Sequence, residues 1–365
     1  MNMEEVRLIW GPLLLSMGVS WLVSKLVIKV YKKIGWVIDA KKQKHPAHVH
    51  DVPVPKGGGV PVFLGSVAAM MVFLPLDGHL IAIILAGLLL VSVGVWDDAS
   101  DISPILRLLV NFLAAGIVIG AGIGIAYITN PFGSGVIHLN QPQLSFNFLG
   151  EQRSIWLLAD LLALLWIPFM INAVNWSSGL DGQIAGVVPI AAATIGILSF
   201  RFSADVTQWP VAIAAFSLAG AFLGYLPYSF YPQKSMPGYG GAGYAGFMLA
   251  VLAILSTTKV GTAMVVLGVP LIDAVYVGVS RIMKGKLPWK GGREHLHHKL
   301  MDLGWGKRRI AVFYWLVTGL LGLIALSLNS RQKLYTMVAI AVILGGFFIW
   351  VSQGRLLELQ DQDNG

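Results

Sequence analysis

The chain alternates between apolar runs and short polar stretches along almost its whole length. The apolar windows are residues 7–28, 58–77, 80–96, 105–128, 155–174, 183–200, 209–230, 243–257, 260–282, 310–328 and 334–352. Most approach the roughly 20 residues that a helix needs to cross the hydrocarbon layer of a membrane. The pattern predicts an all-α polytopic integral membrane protein with about eleven transmembrane helices. Because no internal repeat or soluble segment interrupts it, we expect residues 1–365 to form a single transmembrane domain.

Composition supports a membrane protein over a soluble one. Of the 365 residues, 56% are hydrophobic and 12% are charged, whereas soluble domains carry about 25% charged residues. The 42 glycines suit close contact between helices in lipid. The chain has no cysteine, which excludes disulfides and thiolate metal sites. The first apolar window lacks a small-residue cleavage site, so we expect it to be retained as a helix.

The basic residues, which give a net charge of +8, concentrate in alternate loops. The first loop carries Lys32, Lys33, Lys41, Lys42, Lys44 and Lys56, and the ninth carries Lys284, Lys286, Lys290, Arg293, Lys299, Lys307, Arg308 and Arg309. Loops of opposite parity hold scattered cations such as Arg153, Arg201, Arg331 and Lys333. This alternation indicates topology and not nucleic-acid binding. It places the N-terminus outside and the odd-numbered loops and the tail at 353–365 in the cytoplasm, for a multi-pass protein of the plasma or inner membrane.

Five polar clusters fall in loops that this topology assigns to the cytoplasmic face. In chain order they are residues 50–59, the pair Asp97 and Asp98, residues 172–182, residues 238–243 and residues 295–298. Polar groups at membrane depth are costly unless they face a cavity or a ligand. The five clusters therefore predict one composite site, a cleft at the cytoplasmic surface.

Asp97 and Asp98 form the acidic cluster and follow an apolar helix. Adjacent carboxylates suit a divalent cation, or one metal ligand and one general base. A solvated helix end explains the pair equally simply.

Asn172, Asn175 and Asp181 lie in a polar stretch between two apolar windows. Asn172 and Asn175 share a face if the fifth helix continues that far, and Gly179 and Gly182 would let the backbone approach a ligand. A polar helix–loop junction is the simpler alternative. The polar side chains at this boundary favour a binding role.

His295, His297 and His298 lie in a loop rich in Lys and Arg, beside Arg293. No carboxylate or thiolate completes a zinc set there, so the loop better suits phosphate or pyrophosphate. The alternative is a juxtamembrane loop attracted to anionic lipid at about 1 kcal/mol per cation.

Two further features carry weaker signals. Lys56 lies in a Pro- and Gly-rich run that could hold an anion, but the run lacks the spacing of a P-loop. Asp273 lies inside an apolar window, where a carboxylate is either functional or a structural partner for a Lys or Arg.

Taken in order, the clusters resemble the motifs of the polyprenyl-phosphate N-acetylhexosamine-1-phosphate transferase superfamily. Its Pro-x-Pro-Arg/Lys-x-Gly-Gly run corresponds to residues 53–59, its Asp-Asp pair to Asp97 and Asp98, its Asn-Ala-x-Asn-x-x-Asp-Gly-x-Asp-Gly motif to residues 172–182, and its His-Leu-His-His loop to residues 295–298. The resemblance covers about residues 39–310, with two further helices at 310–352. It is nearest to the bacterial N-acetylglucosamine branch.

The resemblance implies a phosphotransferase of cell-envelope polysaccharide biosynthesis. A polyprenyl phosphate, such as undecaprenyl phosphate, would attack a UDP-N-acetylhexosamine and release UMP. Asp97 and Asp98 would be catalytic and would bind Mg²⁺, or Mn²⁺. Asn172, Asn175, Asp181, Lys56, Arg293, His295, His297 and His298 would bind the nucleotide sugar and the lipid phosphate. The partners implied are UDP-N-acetylhexosamine, polyprenyl phosphate and membrane lipid, with no nucleic acid and with a homodimer left open.

The chain departs from the family pattern at three acidic positions. Ser178, Tyr239 and Gly292 stand where the motifs carry aspartates, and the aspartate at the Tyr239 position is the usual metal ligand. Tyrosine is protonated at neutral pH, with a pKa near ~10. These losses leave a second hypothesis, a catalytically inactive homologue that binds nucleotide sugar or lipid phosphate. A transporter is a third, disfavoured because the sequence shows no repeats and no paired broken helices.

Overall fold

The computed structural model describes residues 3–38, 53–130, 133, 135–148, 151–201, 208–256, 259–287 and 292–363. Its helices are α1 Met3–Ile34, α2 Gly59–Phe73, α3 Gly78–Ser100, α4 Pro104–Gly120, α5 Leu157–Trp176, α6 Gln183–Arg201, α7 Trp209–Ser229, α8 Gly238–Leu255, α9 Lys259–Val266, α10 Gly268–Met283, α11 Leu296–Asp302, α12 Lys307–Ser327 and α13 Ser330–Asp363. Its strands are β1 Val37–Ile38, β2 Val54–Pro55, β3 Tyr127–Thr129, β4 Val136–His138, β5 Gln143–Phe148 and β6 Glu151–Trp156. The predicted positions His50, Asp51, Lys41, Lys42, Lys44 and Lys290 lie outside the described residues.

Each apolar window predicted from the sequence contains a helix or a bent pair of helices. Within the described residues, eight helices are long and apolar enough to cross a membrane, or nine spans if the bent pair α9–α10 counts as one. Helices α2 and α4 are apolar but shorter, with 15 and 17 residues. The structure therefore confirms a helical, multi-pass membrane protein, while the number of eleven spans remains a prediction.

The ninth window is not the single straight helix that was predicted. Helices α9 and α10 meet at an angle of 85°. The chain carries Gly268 and Pro270 at this break. Proline lacks the N–H of an intrahelical hydrogen bond and disfavours helix in the residue before it, which explains the bend.

The stretch between α4 and α5 also differs from the prediction. The window at 105–128 ends as a helix at Gly120, and the chain turns at Gly122, whose φ is +93°. Two antiparallel hairpins follow, β3 with β4 and β5 with β6. A third short pair joins β1 to β2. Alternating polar and apolar residues in these segments are typical of strands, so hydropathy windows alone missed them.

Helices α7 and α8 occupy the middle of the bundle, and α13 lies at its edge. Within their apolar spans, 78% of α7 and 83% of α8 are buried, against 11% for α13. Small residues make the close packing possible, since a Cβ on Gly220 would lie 2.1 Å from the carbonyl oxygen of Leu13 in α1. Helices in lipid associate through such close contacts because lipid removes the usual hydrophobic driving force.

The glycine-rich stretch at 238–243, predicted as a loop, forms the first turns of α8. A Cβ on Gly94 of α3 would lie 2.3 Å from the Cα of Gly240, and a Cβ on Gly59 of α2 would lie 2.7 Å from the Gly240 carbonyl carbon. Only glycine allows α2, α3 and α8 to meet this closely. The stretch is therefore helical and serves as a packing surface.

We expect Gly94→Ala to destabilise the protein although alanine is the better helix former. The added methyl would overpack the α3–α8 contact, at a cost of about 1–3 kcal/mol, against a gain of about 0.5–1 kcal/mol in helix propensity. The matched control is Gly116→Ala in α4, because a Cβ there meets nothing within 4 Å. Thermal unfolding in detergent should show a lower midpoint for Gly94→Ala and an equal or higher one for Gly116→Ala. Equal behaviour of the two variants would contradict the packing argument.

Candidate functional site

The connection between α7 and α8 joins two of the predicted polar clusters. The backbone N–H of Gln233 donates to Asp181 Oδ2 at 3.2 Å. The N–H of Met236 donates to the carbonyl of Pro55 at 2.9 Å, and the N–H of Gly58 donates to the carbonyl of Met236 at 3.0 Å. Distant loops are therefore held together at one end of the helix bundle, which we call the site end.

Asp98 lies at this same end, in the last turn of α3. A Cβ on Gly238, whose φ is +63°, would lie 2.9 Å from Asp98 Oδ1. That oxygen is buried and accepts no hydrogen bond that satisfies the geometry from the described residues. Lys56 is the largest opposing charge that acts on this carboxylate, and the hydroxyl of Tyr31 lies beside it. Asp98 is thus a buried carboxylate that lies between Lys56 and the first turn of α8.

Asp97, the other half of the acidic pair, is already paired with a cation. Its Oδ1 lies 2.6 Å from Arg107 Nη2 in α4 and accepts the N–H of Ile102 at 3.1 Å. The Asp97 residue is only 3% exposed. Arg107 also contacts the exposed Asp101 at 2.8 Å. Sequence reasoning missed Arg107, although a basic residue one turn into a helix that begins at Pro104 was a visible signal.

Tyr239, which stands where the resemblance places a metal-binding aspartate, faces this ion pair. Its hydroxyl lies 2.6 Å from Asn111 Oδ1 and 3.2 Å from the carbonyl oxygen of Arg107. The guanidinium carbon of Arg107 lies 5.8 Å from the centre of the tyrosine ring, within the range of a cation–π contact. A neutral, hydrogen-bonded side chain therefore fills the space of the expected carboxylate.

The other two replaced positions are also satisfied locally. Ser178 Oγ donates to the carbonyl of Asn175 at 2.6 Å, at the end of α5. A Cβ on Gly292 would lie 2.9 Å from Arg281 Nη2, and Arg281 instead donates from Nε to Glu294 Oε2 at 2.5 Å. Glu294 thus supplies the carboxylate that pairs with Arg281.

Asp273 orients the histidine loop from the middle of α10. Its Oδ2 lies 2.9 Å from His295 Nδ1, and its Oδ1 accepts the N–H of Leu296 at 2.8 Å. His295 is therefore the residue before a short helix, α11, and His297 and His298 lie within that helix. Of the two readings of Asp273, the structure favours a positioning role toward His295 over an ion pair with Lys or Arg.

His297 connects the histidine loop to the Asn/Asp stretch. A Cβ on Gly179 would lie 2.5 Å from His297 Nε2, so only glycine allows this approach. His297 is 1% exposed, and neither of its ring nitrogens has a hydrogen-bond partner in the part of the chain that the structure describes. The ring of His295 also packs 6.0 Å from that of Trp176, at the end of α5.

Burial keeps both α11 histidines neutral. It lowers the pKa of His297 well below the usual value, with a smaller contribution from His298 and His295. Burial, followed by the charge of Arg293, lowers the pKa of His298 to about 4. Each neutral ring can donate one hydrogen bond and accept one. They therefore act as polar contacts and not as fixed positive charges.

The remaining predicted residues are placed less centrally. Asn172 donates from Nδ2 to the carbonyl of Pro168 at 2.7 Å, within its own helix, and Asn175 is half-buried in the last turn of α5. Arg293 is 46% exposed and pairs with Asp302 at 3.2 Å. The structure brings Lys56, Asp97, Asp98, Asp181, His295, His297 and His298 to the site end, whereas Arg293 faces solvent.

The side chains do not fit the Mg²⁺ site that the resemblance implies. Mg²⁺ demands an octahedral set of oxygens and is usually held by one or two carboxylates with phosphate and water. Asp97 is committed to Arg107, and Tyr239 replaces the expected ligand. The described residues contain no group of three His, Asp or Glu side chains placed to hold a metal. Binding of Mg²⁺ or Mn²⁺ by Asp97 and Asp98 remains a prediction without support from this geometry.

Comparison with known proteins gives consistent matches. Residues 80–257 match the glycosyl transferase family 4 model. The chain is 25% identical to the probable undecaprenyl-phosphate N-acetylglucosaminyl 1-phosphate transferase of Bacillus subtilis, over 89% of this chain and 87% of that protein. It is 28% identical to the decaprenyl-phosphate N-acetylglucosaminephosphotransferase of Mycobacterium tuberculosis, over 81% and 78%. It is 26% identical to the undecaprenyl-phosphate alpha-N-acetylglucosaminyl 1-phosphate transferase of Escherichia coli, over 88% and 84%.

These matches confirm the resemblance seen in the motifs. The family model covers α3 to α8, which carry Asp98, Asp181 and Tyr239. The relatives extend the similarity over most of the chain. The protein is thus a multi-pass membrane protein that is similar to glycosyl transferase family 4 over residues 80–257, and to bacterial polyprenyl-phosphate N-acetylglucosamine-1-phosphate transferases over most of its length.

Proposed function

We propose that this protein transfers an N-acetylhexosamine-1-phosphate, most simply N-acetylglucosamine-1-phosphate, from a UDP-sugar to polyprenyl phosphate, with release of UMP. The observation that carries the proposal is the direct contact that links the motif loops: Asp98 with Gly238, Pro55 and Gly58 with Met236, Asp181 with Gln233, and Gly179 with His297. The named activities of the relatives supply the reaction class. Under the predicted topology, the site end faces the cytoplasm, where UDP-sugars are available.

The chemistry is a phosphoryl transfer. An oxygen of the lipid phosphate forms a bond to the β-phosphorus of the UDP-sugar, and the bond from that phosphorus to the bridging oxygen breaks. UMP leaves with the bridging oxygen and its negative charge, while the sugar–phosphate bond stays intact. Catalysis of this kind depends on positioning and on stabilising charge in the transition state.

Asp98 and Lys56 are placed to handle the lipid phosphate. A phosphate monoester loses its second proton near pH ~6, so part of the lipid phosphate carries a proton near neutral pH. The buried Asp98 Oδ1 can accept that proton, and the neighbouring Lys56 ammonium can hold the anion. Asp98 thus acts as general base, and Lys56 as the phosphate ligand.

The histidine loop and the Asn/Asp stretch form the nucleotide-sugar side. His297, with both ring nitrogens buried, can hydrogen-bond the pyrophosphate. Asp181 holds the α7–α8 connection through Gln233, and Asp273 fixes His295. Asn172 and Asn175 lie on the adjoining turns of α5 and would contact the nucleotide.

The replacement of the aspartate by Tyr239 favours a second candidate function. A relative that binds UDP-sugar or lipid phosphate without transferring the sugar phosphate would keep the loop contacts and lose the metal-dependent step. Turnover separates the two candidates, because only the first forms a lipid-linked sugar. Among the residues that the structure describes, α9–α10 is the one bent pair, which does not supply the paired broken helices of a transporter.

We expect the full chain in detergent to convert radiolabelled UDP-N-acetylglucosamine and undecaprenyl phosphate into a butanol-extractable product and UMP. Asp98→Asn should lower the rate by about 100-fold or more, since it removes the general base. Asp77→Asn is the matched control, because Asp77 caps the opposite end of α3 and asparagine caps equally well. A wild-type chain that folds and binds UDP-N-acetylglucosamine, but forms no lipid product from any UDP-N-acetylhexosamine, would favour the inactive homologue.

We also expect proton uptake when UDP-N-acetylglucosamine binds below neutral pH. The free protein holds the pKa of His298 at about 4 and that of His297 well below its usual value, and a nearby pyrophosphate raises both. The bound state then carries more protons, so affinity should rise as pH falls toward the raised pKa values. Calorimetry in buffers of different ionisation enthalpy measures the uptake. His298→Gln should reduce it, whereas His79→Gln, at the other end of α3, should not; equal uptake in both variants would refute the assignment.

A further inference from the structure

Arg107 lies at the acidic pair in a way that the resemblance does not anticipate. Its guanidinium contacts the buried Asp97 at 2.6 Å and the exposed Asp101 at 2.8 Å. Asp97 Oδ1 also accepts the Ile102 N–H. A divalent cation that used this oxygen would have to displace both donors and separate a largely buried ion pair, and breaking such a pair is strongly unfavourable.

Tyr239 closes the same position from α8. Its ring lies against the Arg107 guanidinium, and its hydroxyl donates to Asn111 Oδ1. With Tyr239 in place, the turn that begins α8 offers a cation no carboxylate. Restoring an aspartate there would require the tyrosine ring to leave its contact with Arg107.

Two buried donors close to Tyr239 lack an acceptor among the described residues, while the buried acceptor Asp98 Oδ1 is opposed by Lys56. Arg107 Nε and Asn111 Nδ2 are buried without an acceptor among the described residues, and Asn111 is 0% exposed. Unpaired buried donors favour a negative partner and disfavour a cation. The surroundings of Tyr239 are therefore suited to a negatively charged group.

The charges of the site are consistent with this arrangement. Three positions that are acidic in the family motifs are Ser178, Tyr239 and Gly292, each of which is satisfied or replaced locally. The two carboxylates that remain as a pair, Asp97 and Asp98, face two cations of the chain itself, Arg107 and Lys56. The acidic pair is thus neutralised without a metal ion.

We propose that this site binds its phosphate-bearing ligands without a divalent cation, because Arg107 and Lys56 already oppose the charges of Asp97 and Asp98, and Tyr239 leaves the first turn of α8 without a carboxylate. In this proposal Arg107 is a positioning residue, because it acts through its ion pair with Asp97. Tyr239 disfavours a metal ion, because a neutral phenol stands where the family motif carries a carboxylate ligand. The inference rests on the proposed function only for the identity of the ligand.

The experiment measures metal binding and ligand binding separately, on the full chain in detergent after treatment with EDTA. Titration with Mn²⁺, followed by its electron paramagnetic resonance signal, should show no saturable site in the wild type. Tyr239→Phe should behave in the same way, since it keeps the ring and lacks a carboxylate. The double variant Tyr239→Asp with Arg107→Gln should gain one Mn²⁺ per chain.

The second measurement is the affinity for UDP-N-acetylglucosamine. Calorimetry determines it once in a buffer with EDTA and once in a buffer with Mg²⁺. We expect equal affinity in the two buffers for the wild type. A saturable Mn²⁺ site in the wild type, or affinity that is lost in EDTA, would overturn the proposal. If the sugar nucleotide binds in neither buffer, the proposed function fails, whereas the Mn²⁺ titration still decides whether the site holds a metal.

Discussion

The contact between Gly94 and Gly240 is the constraint on which the site depends. A single Cβ at Gly94 would lie 2.3 Å from the Gly240 backbone, so α3 and α8 can meet only because both residues lack side chains. This approach sets the end of α3, with Asp97 and Asp98, against the first turn of α8, with Gly238 and Tyr239. The geometry of the acidic pair is therefore a consequence of helix packing in lipid.

The α7–α8 connection extends this constraint to the other loops. Gln233 reaches Asp181, and Met236 pairs with Pro55 and Gly58. The histidine loop joins independently, through His297 against Gly179 and through His295 on Asp273. Backbone hydrogen bonds and glycine contacts, more than side-chain ion pairs, hold these loops together, so their arrangement does not depend on the three replaced motif carboxylates.

The three replacements each remove a carboxylate from the positions that the family motifs predict to be acidic. Ser178 donates a hydrogen bond to the carbonyl of Asn175 at the end of α5. Tyr239 fills the space beside Arg107 and donates to Asn111. Next to Gly292, Glu294 accepts a hydrogen bond from Arg281. Each replaced position has a local solution that needs no metal ion. Arg107 and Lys56 are the cations that oppose the remaining acidic pair, Asp97 and Asp98.

Hydropathy and motif order in the sequence were enough to determine the membrane class, the position of each apolar segment and the similarity to glycosyl transferase family 4. They also located the residues of the acidic pair, the Asn/Asp stretch and the histidine loop, because these polar groups stand out at membrane depth. Hydropathy windows missed the 85° bend between α9 and α10 and the hairpins after α4, although Gly268, Pro270 and short-period alternation were visible in the sequence. The helical form of residues 238–243 depends on glycine contacts between helices that lie far apart in the sequence. Only the tertiary structure showed that Asp97 forms an ion pair with Arg107. The pair joins α3 to α4, and no local sequence pattern predicts how closely these two helices pack.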